Sequence, residues 1–158
     1  MNAALDSATN IDPAVRPEAG SSTSSDSGLG IFLAAALGDP VRVETLLARD
    51  PALANARDLD GRTPLMLALQ RGHRDVLAVL LRRGADANAV TPWGDTPLHQ
   101  AARWGEIALL GLLLEHGADA RARDLWGKTP VERALQFGHH DAARALGGPS
   151  RRWARWPL

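Results

Sequence analysis

The chain has 158 residues, enough for one domain with its own core. Its 18 basic and 18 acidic residues cancel, which excludes the global positive field that draws a protein to nucleic acid or a membrane surface. No cysteine is present, so disulfides, thiolate metal sites and a cysteine nucleophile are excluded. No apolar run approaches the roughly 20 residues needed to cross a bilayer. The 28 alanines, 17 arginines, single lysine and absent tyrosine point to a GC-rich coding genome and so to a bacterial origin.

Residues 1–28 are polar and rich in Ser and Thr, closing on "SSTSSDSG", with Asp6, Asp12, Glu18 and Asp26 against Arg16. Too little apolar surface is available here to offset the entropy of ordering, so a disordered acidic tail is expected. The segment lacks the basic start and apolar stretch of a secretory signal, which makes cytoplasm the expected location.

From residue 29 the chain repeats itself. "GRTPLMLALQRGH" begins at Gly61, "GDTPLHQAARWGE" at Gly94 and "GKTPVERALQFGH" at Gly127, an offset of 33 both times. "VLLRRGADANA" and "LLLEHGADARA" recur at the same offset. Upstream, "FLAAALGDPVRVETLLARDPALANARD" matches more loosely, with one residue inserted near "DPALAN". Four units follow, at about 29–57, 58–90, 91–123 and 124–147.

In chain order, the first unit is a terminal one, and Asp39, Arg42 and Glu44 on its second helix are expected to make its outer face polar. In the next three units, Thr63, Thr96 and Thr129 each suit a helix N-cap, and Pro64, Pro97 and Pro130 follow where a missing N–H costs nothing. Thr129 with Glu132 forms a capping box. Gly72, Gly105 and Gly138 end the first helices as left-handed caps, and Gly84 and Gly117 end second helices. Val76, Leu77, Leu80 and Leu81 mark one buried helical face, repeated by Leu109, Leu110, Leu113 and Leu114. In the fourth unit Ala143 and Gly147 replace the leucine positions, and "GGP" stops its last helix.

A unit of turn, short helix, turn and longer helix buries its apolar face only by stacking on its neighbours, which gives a solenoid. The pattern resembles the ankyrin repeat, on "GRTPLMLALQRGH…LLRRGADANA" and "GDTPLHQAARWGE…LLLEHGADARA", with "GKTPVERALQFGH" as a shorter last unit; the period also agrees. The expected fold is thus an all-α, ankyrin-type solenoid of four helix-turn-helix units with short β-turn fingers over 29–147. A basic tail, 148–158, follows, with Trp153 and Trp156 among Arg151, Arg152 and Arg155. Met66 and Glu132 stand where the family usually has one histidine, and Glu106 where it has the second.

No sequence motif of an enzyme is present. His73, His99 and His139 occupy positions where the resemblance implies loop and turn hydrogen bonds, and His116 precedes a helix-ending glycine, where it suits the helix dipole. Asp58, Asp60, Asp86 and Asp119 sit where Asx-type turn bonds explain them. A non-enzyme with no metal and no cofactor is expected.

The resemblance implies instead a protein partner, bound through turn tips and the exposed side of the first helices. The corresponding columns are Asp60, Trp93, Trp126; Arg62, Asp95, Lys128; Gln70, Arg103, Gln136; and Arg71, Trp104, Phe137. They place two aromatic pairs, Trp93/Trp126 and Trp104/Phe137, on units three and four beside Arg103. The expected partner-binding residues are Arg71, Trp93, Asp95, Arg103, Trp104, Trp126, Lys128 and Phe137, a Trp- and Arg-rich set such as interface hot spots use. Bracing of adjacent turns is the competing role for these rings. The expected function is protein–protein recognition by a monomeric adaptor, scaffold or inhibitor, with no nucleic acid and no membrane span. Small bacterial members of this kind delivered into host cells often begin with a similar polar segment, so a secreted effector is the alternative. A metal-dependent enzyme is the alternative from another class. The C-terminal tail is expected to cap the fourth unit or to fold onto the aromatic patch.

Overall fold

A computed structural model describes residues 23–147. The expectations for residues 1–22 and for the tail over 148–158 lie outside the described residues. Eight α-helices run in chain order: α1 (Thr23–Leu37), α2 (Pro40–Arg49), α3 (Pro64–Gln70), α4 (Arg74–Arg82), α5 (Pro97–Trp104), α6 (Ile107–Glu115), α7 (Pro130–Gln136) and α8 (His140–Gly147). Among the described residues there is no strand. Each consecutive pair forms one unit, and each unit stacks on the next, odd helices against odd and even against even.

The local signals act as their chemistry requires. Thr63, Thr96 and Thr129 accept from the backbone N–H three residues on, and a proline follows each. Glu132 completes the box by accepting from the Thr129 N–H at 2.8 Å. Each finger is one tight turn, closed between Asp58 and Arg62, Thr91 and Asp95, and Asp124 and Lys128. Asp58 and Asp124 supply side-chain oxygens to the N–H groups inside their own turns.

The core runs the length of the stack through Ile31, Val43, Leu47, Leu65, Leu69, Leu77, Leu80, Leu98, Leu110 and Leu113. Each of the larger side chains stabilises by roughly 1.5–3 kcal/mol on burial. The extra residue near "DPALAN" is absorbed by a 3-10 helix, Pro51–Asn55, which only the first unit has among the described residues.

Two features differ from the sequence reading. α1 begins at Thr23, six residues before the expected boundary, because Ile31, Ala34 and Ala35 are buried and anchor a helix that extends upstream. The outer face of the first unit is also apolar: Leu29, Leu33, Leu37 and Val41 are exposed. Of the polar residues expected there, Arg42 is exposed, while Asp39 and Glu44 are bonded elsewhere. Asp39 caps α2 by accepting from the Arg42 N–H at 3.0 Å, and Glu44 pairs with Arg83 of the second unit.

Cross-unit hydrogen bonds stitch the stack. The Asn55 side chain donates to Gly84 O and accepts from the Asp86 N–H. Asn88 repeats this on Gly117 and Asp119. His99 is fully buried. Its Nε2 lies 2.9 Å from Lys128 O, which can only accept, so Nε2 carries the proton and Nδ1 accepts from Thr96. His73 donates in the same way to Ala36 O at 3.0 Å, and its ring lies against Gly38. His139 likewise lies against Gly105 of the preceding unit.

Candidate functional site

Fingers and first helices form one face of units two to four, and two grooves lie along it. The groove between units two and three, about 180 Å³, is walled by Trp93 and Trp104, with Met66, Gln70, Asp95 and Arg103 between them. The groove between units three and four, about 450 Å³, is lined by Arg103, Trp126, Lys128, Arg133, Gln136 and Phe137. Arg103 is common to both.

The column pairs Trp93/Trp126 and Trp104/Phe137 are divided between the two grooves. A 33-residue offset moves a side chain by a whole unit, about 10 Å, beyond the 4.5–7 Å at which two rings interact. Each groove instead takes one aromatic from a finger and one from the end of a first helix: Trp93 with Trp104, and Trp126 with Phe137. The rings meet arginines. Arg133 stacks over Trp126 at 4.9 Å, and Arg103 lies 5.9 Å from the Phe137 ring. All four aromatics stay substantially exposed, from 39% for Trp104 to 61% for Trp126. Their apolar area is therefore still available to a partner.

Asp95 was expected at an exposed turn tip with Arg62 and Lys128, but it is buried. Its Oδ2 accepts from Arg103 Nη2 at 2.6 Å, so it positions Arg103 and is not a free surface contact. Lys128 and Phe137 are exposed on the groove as expected. Arg71 is exposed beyond the end of α3 and lines neither groove.

Arg133 was not among the expected site residues. It is buried, donating from Nε to Asp124 Oδ2 at 2.6 Å and from Nη1 to Gln136 at 3.1 Å. Its column, Leu67, Gln100, Arg133, grows more polar along the stack, which is the available signal. Exposed Leu59 and Leu125, one residue before Asp60 and Trp126, also escaped notice.

Electrostatics separate the two Asp–Arg pairs. Burial pushes the Asp124 carboxyl up, but the Lys128 N–H, the Arg133 guanidinium and the Trp126 N–H outweigh it and hold the group below the usual carboxylate range. Glu132 is likewise lowered, foremost by the Thr129 N–H and against some burial, then by the Thr129 hydroxyl and the charges of Lys128 and Arg123. Asp95 Oδ1 and Arg103 Nε, by contrast, are buried without any hydrogen-bond partner.

The family model described as ankyrin repeats (many copies) matches residues 46–101, and the one described as ankyrin repeats (3 copies) matches residues 80–150. The chain belongs to the ankyrin repeat family. No curated protein matches it. Among the described residues, no helix of this ankyrin chain is long and apolar enough to cross a membrane, and no three His, Asp or Glu side chains cluster as metal ligands would. His73 and His99 bond main-chain carbonyls across units, as the family resemblance implies, and His116 Nδ1 lies 2.9 Å from Leu112 O at its helix end.

Proposed function

We propose that this protein is a non-catalytic recognition module that binds another protein across the two grooves. The observation that carries this reading is the row of four part-exposed aromatics, Trp93, Trp104, Trp126 and Phe137, arranged two and two around Arg103 on the finger and first-helix face. Large rings beside a guanidinium are what binding hot spots are made of. Ankyrin repeats are in general protein-interaction modules, which supports the same conclusion. Trp126 also shields the Arg133–Asp124 pair, so it braces its own unit while leaving most of its surface for a partner.

The test is capture of the partner from native cell extract with the immobilised chain, and comparison with a Trp104→Ala/Trp126→Ala variant. Loss of the captured protein with only a small drop in thermal midpoint is expected. Retention of that protein while the midpoint collapses would assign the rings to bracing alone and sink the proposal.

A further inference from the structure

Three independent observations meet at the seam between units two and three. First, its helices pack against each other more sparsely than those at either neighbouring seam. Second, both histidine stitches are missing there. Met66 stands where His99 bridges the next seam, and Glu106 stands where His73 and His139 lie on a glycine; Gly72, beneath it, has nothing within 4 Å of where its Cβ would be. Third, Asp95 and Arg103 both line the groove at this seam, and Asp95 Oδ1 and Arg103 Nε, buried behind its surface, are the two buried side-chain polar atoms among the described residues that lack partners. An orphan donor and an orphan acceptor on one ion pair specify the chemistry of what would complete them.

We propose that this groove receives one residue of an extended partner peptide through its main chain, with Asp95 Oδ1 accepting its N–H and Arg103 Nε donating to its carbonyl oxygen. This rests on the recognition reading above and names the chemistry of the contact. In an extended segment, the N–H and C=O of one residue point to the same side and are offered together, which is the complement of the Asp95–Arg103 pair. A partner carboxylate would face the unpaired oxygen of Asp95. A partner ammonium would satisfy that oxygen but meet Arg62 and Arg103 and leave Nε unbonded. A neutral amide satisfies both. Trp93 and Trp104 on the groove walls then cover the apolar side chains flanking the bonded residue.

Both orphan atoms are sealed from solvent, so a wall of the groove has to move. Arg103 is the group free to do so. It has one hydrogen bond, to Asp95, a distant contact with Phe137, and a side chain 31% exposed. Asp95 is fixed by its own finger, its N–H donating to Thr91 Oγ1 at 3.2 Å. Sparse packing at the seam lets the wall part.

The full chain is panned against a displayed library of random peptides, and an enriched peptide is remade with each main-chain amide in turn replaced by an ester, which removes the N–H. Calorimetry is expected to show one ester weakening binding by about tenfold, the worth of one buried hydrogen bond. Asp95→Ala should weaken the all-amide peptide similarly and abolish the ester effect. Asp95→Asn keeps an acceptor oxygen and should keep that effect, which guards against a misfolded Asp95→Ala. Insensitivity to every ester, or an ester effect unchanged in Asp95→Ala, overturns the inference. If Trp93→Ala and Trp104→Ala weaken the peptide but Asp95 does not couple to any amide, this inference alone fails. If those tryptophan variants bind the peptide normally, or if no peptide is enriched, the recognition reading falls with it.

Discussion

The seam between units three and four and the seam between units two and three are built on the same repeat, yet one is closed and the other is not. At the closed seam His99 reaches Lys128 O, His139 fills the space over Gly105, and the Leu125 N–H donates to Trp93 O at 3.3 Å. Beside it the Asp124–Arg133 pair is bonded on every oxygen. At the open seam Met66 and Glu106 supply neither stitch, and the Asp95–Arg103 pair is half satisfied. Asn88, which donates to Gly117 O at 2.9 Å and accepts from the Asp119 N–H, holds that seam in their place. Two substitutions that look minor on separate helices fall on a single interface. Departures from a repeat consensus therefore need to be read by the seam they share.

The difference can be broken most severely at the buried pairs. Asp124→Ala strands the Arg133 charge and should cost about 3 kcal/mol, whereas Asp95→Ala removes one bond from an incomplete pair and should cost about 1 kcal/mol. Urea denaturation of the two variants measures both, and equal losses would contradict the contrast. The glycines come next. Gly105 has φ 71°, and an added Cβ would lie 2.5 Å from the His139 ring. Gly72 has φ 72° and open space around it. Gly105→Ala should lose about 2 kcal/mol or more, and Gly72→Ala only the backbone penalty of about 1 kcal/mol.

The open seam can also be closed. Met66→His with Glu106→His should add about 1 kcal/mol, a rise of roughly 2–4 °C in thermal midpoint. A fall would show that the buried Met66 contributes more by packing than a bond would supply. The smallest effect concerns acid. Asp124 and Glu132 hold protons less readily in the fold than in the unfolded chain. The unfolded chain therefore takes up more protons as pH falls. Their stabilisation is complete above about pH 5 and is lost as pH drops through the lowered folded values. The gap in denaturation midpoint between wild type and Asp124→Asn should accordingly shrink as pH falls below about 5.

Most of the fold could be read from the chain because repeat punctuation is local. A threonine, a proline and a left-handed glycine act within one turn of helix, and Thr96, Pro97 and Gly105 each do what their chemistry dictates. The site was harder, since its geometry depends on which residues face each other across units. A period of 33 names the columns but not the grooves, so Trp93 was matched with Trp126 when it shares its groove with Trp104. Asp95 shows the same difficulty. Its column suggests an exposed tip, and only the position of Arg103 eight residues on reveals it as a buried partner. Asn55 and Asn88 were legible in principle, being 33 apart, but the bonds they make reach the following unit.

A stack whose units touch only their neighbours is as cooperative as its weakest junction. The under-stitched seam divides this one into halves, α1–α4 and α5–α8, that communicate less with each other than within themselves. Denaturation followed at Trp93 and Trp104 should then part company with denaturation followed by helix content. A ligand spanning both halves would merge the two transitions into one, so that binding is read out as regained cooperativity.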